Sequence, residues 1–132
     1  MHTLSLSWTI GAGPGRVGGH KRAPAWSDIE EKVSHMRTQP GSVGLYIIEG
    51  PEAGPQSLQV FCEGGNYLLM LGELDEEHHF VRSYTNKHAK QDMVEIAGDL
   101  WDVRMVCYEF DIVMRAFREF FDRGDVSREL LD

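Results

Sequence analysis

Residues 58–71 read Leu58-Gln59-Val60-Phe61-Cys62-Glu63-Gly64-Gly65-Asn66-Tyr67-Leu68-Leu69-Met70-Leu71. Two apolar runs, Leu58–Glu63 and Tyr67–Leu71, are separated by a three-residue connection whose glycines supply positive φ. A connection that short joins antiparallel strands, so the segment is a hairpin. Upstream, Ser42–Glu49 is nearly all apolar, as a central strand should be, and Gly50-Pro51 with Gly54-Pro55 breaks it. Downstream, the acidic stretch Glu73–Glu77 reads as a turn before Phe80–Thr85, in which Phe80, Arg82 and Tyr84 share one side. A polar loop, Asn86–Asp92, leads to two weaker strand segments, Met93–Ala97 and Trp101–Cys107.

Further out, Leu4, Leu6, Trp8 and Ile10 alternate with Thr3, Ser5, Ser7 and Thr9, the period of a half-buried strand. The stretch Gly11–Pro24 is glycine-rich and reads as a loop, mobile unless a partner orders it. Ser27 and Glu30 have capping-box spacing, and Ile29, Val33 and Met36 give a short amphipathic helix that Pro40-Gly41 stops. A second helix follows from Phe110, Val113, Phe117 and Phe120, with Gly124 suited to a left-handed C-terminal cap. The tail, Asp125–Asp132, adds a turn or stays loose. The expected fold is α+β: a single antiparallel sheet of about five to seven strands, two helices on one face, order β-α-β-β-β-β-(β)-α. A length of 132 residues makes it one domain.

Charge narrows the function. Thirteen Lys and Arg stand against 21 Asp and Glu, a net charge of −8. Residues 1–27 hold Arg16, Lys21 and Arg22 and no acid, so the body from Asp28 onward carries the whole negative excess. Such a surface repels phosphate backbones and disfavours direct nucleic-acid binding; basic partners suit it. Cys62 and Cys107 lie in apolar runs without metal or disulfide spacing and read as buried thiols of a cytosolic protein. The first residues do not form a convincing signal peptide, and no apolar run approaches a membrane span, so a cytoplasmic location is expected.

Few motifs suggest chemistry. Gly13-Pro14-Gly15-Arg16-Val17-Gly18 is a literal G-x-G-x-x-G after a strand, but Gly19–Pro24 cannot start the helix that would receive a pyrophosphate, so it reads as a flexible connection. His78, His79 and His88 beside Asp75, Glu76 and Glu77 fit no zinc spacing and read as a solvated turn. There is no nucleophile elbow. No catalytic residue, cofactor or metal site is expected. Acid clusters do stand out: Glu73, Asp75, Glu76 and Glu77 in one, and Asp92, Glu95, Asp99 and Asp102 in the other. Either could be only a solvated face. Read as contacts for a basic partner, the candidates are Asp75, Glu76, Glu77, Asp99, Trp101 and Asp102, Trp101 being an interface aromatic or a core residue.

The C-terminal segment Val106–Gly124, with Ala116 and Glu119-Phe120-Phe121 ahead of Gly124, is similar to the closing helix of a large family of bacterial immunity proteins from polymorphic toxin systems, of the contact-dependent inhibition and type VI secretion kinds. Tyr67–Leu71, Phe80–Tyr84 and Val94-Glu95-Ile96 resemble strands of that family, over roughly residues 42–124. The family's usual late Pro and Trp are missing after Gly124. The resemblance implies a non-enzymatic inhibitor, monomeric or weakly dimeric when free, whose partner is the cognate toxin domain of a secreted effector. Such toxins are often nucleases or nucleobase deaminases with basic grooves, which an acidic protein can occlude. The alternatives are an adaptor or secretion chaperone for an effector, or a small enzyme or ligand-binding domain with a pocket around His78, His79 or His88.

Overall fold

The hairpin read from residues 58–71 lies inside the main sheet, between strands to either side. The computed structural model describes residues 3–48, 53–75, 78–86 and 88–132. Strand β4 (Gly54–Glu63) and strand β5 (Asn66–Asp75) pair antiparallel, closing at Glu63↔Asn66. The loop is thus only Gly64-Gly65, at φ 59° and 80°, the two-residue turn whose twist matches the strands.

Around it the sheet runs β2-β1-β3-β4-β5-β6, every pair antiparallel. Here β1 is Thr3–Ile10, β2 Val17–Arg22, β3 Gly41–Ile48 and β6 His78–Ser83. A short β9 (Val106–Cys107) pairs with the start of β5. Between β6 and β9, β7 (Met93–Ile96) and β8 (Asp99–Asp102) pair only with each other.

Helix α1 (Trp26–Ser34) and helix α2 (Phe110–Arg123) cover one face. The apolar phase of each strand meets them: Leu4 and Leu6, Val43 and Leu45, Leu58 and Val60, Leu69 and Leu71 are all buried in one cluster with Ile29, Val33, Phe117 and Phe120. Fully burying a side chain such as Phe117 stabilises by roughly 1.5–3 kcal/mol, which is why α2 needs its whole apolar stripe. Trp26 and Phe121, with ring centroids 5.8 Å apart, join the two helices. Gly124 takes φ 71° and its N–H donates to the Phe120 carbonyl, closing α2 as its position predicts.

The α+β class, the antiparallel sheet and the two helices agree with the expectation; several local readings do not. Residues 17–22 form an edge strand, not a loop. A Cβ at Gly19 would lie 2.5 Å from the Trp8 ring, so the glycine that suggests a loop is what lets β2 approach β1. Helix α1 starts at Trp26, before Ser27, and is capped by Asp28, whose carboxylate accepts the Ala25 N–H at 2.8 Å. Glu73 and Asp75 belong to β5, and His78 and His79 to β6, not to a turn.

The tail is docked, not loose. Buried Arg82 donates from Nη2 to the Val126 carbonyl at 2.7 Å and to the Leu131 carbonyl at 3.0 Å. Its Nη1 lies 3.0 Å from Asp125 and 3.5 Å from Glu73. Val126 and Leu131 are buried as a result. Among the described residues, no helix is long and apolar enough to cross a membrane.

Candidate functional site

The β7–β8 hairpin sits on the face opposite the helices. Ala97 and Gly98 form its two-residue loop, both at positive φ (54° and 89°), and a Glu63 carboxylate from β4 accepts the Ala97 N–H at 2.9 Å. The left-handed Ala97 is thereby tied to the main sheet. Register places Val94 opposite Trp101 and Glu95 opposite Leu100. Directly opposed residues share a face. The inner face, Val94, Ile96 and Trp101, packs on Phe61, Leu68 and Val106. The outer face turns Met93 and Leu100 to solvent, 54% and 66% exposed, beside Glu95 and Asp102.

These acids are not equivalent. Asp102 grips Arg104, with Arg104 Nη2 at 2.6 Å from Oδ2 and the Arg104 backbone N–H donating to Oδ1 at 2.9 Å. Those bonds hold its carboxyl at about 2, well under the ordinary carboxylate range. The charge of Asp102 is therefore matched locally. Glu95 and Asp99 are exposed and have no ion pair among the described residues. Beneath the hairpin, Phe61, Leu68, Met70, Ile96 and Trp101 line a notch of about 270 Å³, with Asp99 the only charged group of the lining among the described residues.

The other candidates lie elsewhere. Asp75 is exposed at the far end of β5, seven residues from the Leu68 on which the hairpin rests, roughly 23 Å along an extended strand. Strand alternation also puts it on the helix side. Glu76 and Glu77 fall outside the described residues. Glu73 is drawn inward to Arg82. Among the described residues the two acid clusters of the sequence thus do not form one patch, and of the described candidates Asp99, Trp101 and Asp102 share the short strand β8 while Asp75 lies apart. Trp101 is half-buried against the small core and lines the notch.

Residues 7–130 match the model of a family of unknown function, DUF6911. The chain belongs to that family. A crystal structure of a hypothetical protein from Neisseria gonorrhoeae is similar, with a TM-score of 0.80 and 20% identity over 96% of this chain and 92% of that one. At that identity the likeness shows the fold. No curated protein matches.

Within this DUF6911 chain, sequence reasoning missed the uncovered sheet face beside the hairpin. Ser5, Ser7, Thr9, Ser42, Tyr46 and Gln59 floor an open depression of about 610 Å³ there. Tyr46 lies across Gly44, where a Cβ would meet its ring at 2.9 Å, and its hydroxyl accepts from Gln59 Nε2. The signal was present as the polar phase of β1, which reads equally well as ordinary solvent-facing residues. His78, His79 and His88 are exposed, and among the described residues no group of three metal-binding side chains converges. Cys62 and Cys107 both stand opposite Tyr67, two strand spacings apart, about 10 Å and too far for a disulfide. Burial pushes the Cys107 thiol up to about 11, which keeps it out of nucleophilic chemistry at neutral pH.

Proposed function

We propose that this chain is an immunity protein: a cytoplasmic, non-enzymatic inhibitor that binds the toxin domain of a secreted effector and occludes its active site or substrate groove. The observation that carries the reading is the β7–β8 hairpin, which turns Glu95 outward beside exposed Met93 and Leu100 and sets Asp99 at the notch beneath, neither acid having an ion pair among the described residues. Apolar contacts ringed by charge are the composition of a docking surface. The net charge of −8 supports the same reading, because it accelerates encounter with a basic groove and rejects other acidic proteins.

A toxin lysine or arginine fits the notch. Its aliphatic stem would lie against Met70 and Phe61, its charged head near Asp99 and the Trp101 ring. Asp102 contributes indirectly, by fixing the turn after β8 through Arg104. Asp75 belongs to a separate face.

The test looks beside this chain's gene for a large secreted protein and uses its C-terminal domain. Near one-to-one mixing should abolish its toxic activity, and raising salt from about 0.05 to 0.5 M should slow association steeply. Joint Glu95→Lys and Asp99→Lys substitution should slow association about tenfold or more. Binding that leaves toxicity intact identifies an adaptor or secretion chaperone and overturns the inhibitor reading. Salt-insensitive binding with silent reversals overturns the acidic surface.

A further inference from the structure

One hydrogen bond sets the phase of the outermost strand. The Ala23 N–H donates to the Leu4 carbonyl at 2.8 Å, and the pairs Leu6↔Lys21, Trp8↔Gly19 and Ile10↔Val17 follow in the same register. Bonded and non-bonded pairs alternate in an antiparallel ladder. Val17, Gly19 and Lys21 therefore turn their backbone groups toward β1, while Gly18, His20 and Arg22 turn theirs away from the sheet. No described strand pairs with that outer edge. The opposite margin is closed in part, since the Asp132 N–H occupies the Ser83 carbonyl of β6.

The open edge is also where the chain is basic. Lys21 pairs with Asp28 at 2.9 Å on the helix side, but Arg16 and Arg22, which bracket β2, have no ion pair among the described residues. No acid occurs in residues 1–27, although the whole chain is −8. The net charge of the chain disfavours an acidic segment overall, whereas this acid-free margin favours one, so charge helps select the edge as well as the partner. Gly18-Gly19 lets a second backbone come close without side chains in the way.

We propose that β2 is a docking edge that takes an extended acidic polypeptide segment of another protein as an added strand. Gly18, His20 and Arg22 supply the backbone donors and acceptors, and Arg16 and Arg22 supply the charge. In the sheet, β1 and β3 separate β2 from β4, although Arg16 shares a depression with Ala97 at the hairpin's tip, and the proposal does not rest on the toxin reading.

The test uses the full chain with a fluorescein-labelled peptide alternating glutamate and valine, and its lysine–valine counterpart as control. In the free protein the amides of Gly18, His20 and Arg22 should exchange hydrogen fast and those of Gly19 and Lys21 slowly. Acidic peptide should bind and protect the fast set. His20→Pro, which removes an outward N–H and is tolerated at a sheet edge, should abolish binding. Joint Arg16→Glu and Arg22→Glu substitution should weaken it about tenfold or more, and serves as the decisive variant if His20→Pro does not fold. Equal binding of both peptides, or no protection of Gly18, His20 and Arg22, overturns the proposal. Concentration-dependent dimerisation that His20→Pro abolishes also overturns it, by making a second copy the occupant.

Discussion

Removing the Arg82 side chain tests how the C-terminus is held. Arg82→Ala leaves the buried Val126 and Leu131 carbonyls without their donor and Glu73 with Arg128 alone among the described residues, 3.9 Å away. The Asp125 side chain is 48% exposed, so its share is under about 1 kcal/mol. Losing one partner of such a buried charge network costs about 3–5 kcal/mol. Unfolding entropy of about 2.1 cal/mol/K per residue gives a chain of 132 residues about 0.28 kcal/mol/K. The melting temperature should therefore fall by roughly 11–18 °C, read by far-UV circular dichroism. Ending the chain at Gly124 should destabilise it comparably, because Val126 and Leu131 leave the core. The two changes remove the same contacts, so combining them should cost less than their sum by about 2 kcal/mol or more. Additive losses, or a shift under about 3 °C for Arg82→Ala, would refute the reasoning.

Two further outcomes follow from local geometry. Arg104 lowers the Asp102 carboxyl from 3.8 to about 2, so this pair's contribution to stability is present above the ordinary value and lost as pH falls through about 2. A carboxyl NMR titration should show that midpoint, and Arg104→Gln should return it toward 3.8; an unchanged midpoint sinks the assignment. At Gly41, φ is 142° and a Cβ would lie 2.0 Å from the Thr9 carbonyl oxygen, whereas at Gly54, φ 100°, it meets open space. In urea denaturation, Gly41→Ala should cost on the order of 3 kcal/mol or more and Gly54→Ala about 1 kcal/mol. Equal losses would show that β1 and β3 are not so closely apposed at Gly41.

Elements whose own side chains repeat with the right period were legible in advance. The runs beside Gly64-Gly65, the strand Leu4–Ile10 and the stripe Val113-Phe117-Phe120 each bury what their pattern marks. Strand β2 was not legible, because Gly18-Gly19 has no side chains to alternate and is chosen for the space beside Trp8. Met93–Ala97 and Trp101–Cys107 read as strands; the first forms β7, whereas a 3-10 turn at Val103–Met105 splits the second between β8 and β9, and periodicity carries no information about which sheet each piece joins. The sequence places Arg82 on one side of a strand with Phe80 and Tyr84 but not what it holds, since those carbonyls lie more than 40 positions away.

The candidate contacts divide in the same way. The amount of acid, the basic first 27 residues and the cap at Gly124 are set by composition and local sequence, because charge and backbone preference belong to the residues themselves. Which acids remain unpaired depends on where their neighbours fold. Asp102 meets Arg104 and Glu73 meets Arg82, while Glu95 and Asp99 meet no cation among the described residues. The open sheet face and the free edge of β2 likewise exist only once the sheet has formed, because both are defined by which hydrogen bonds and faces the fold leaves unused.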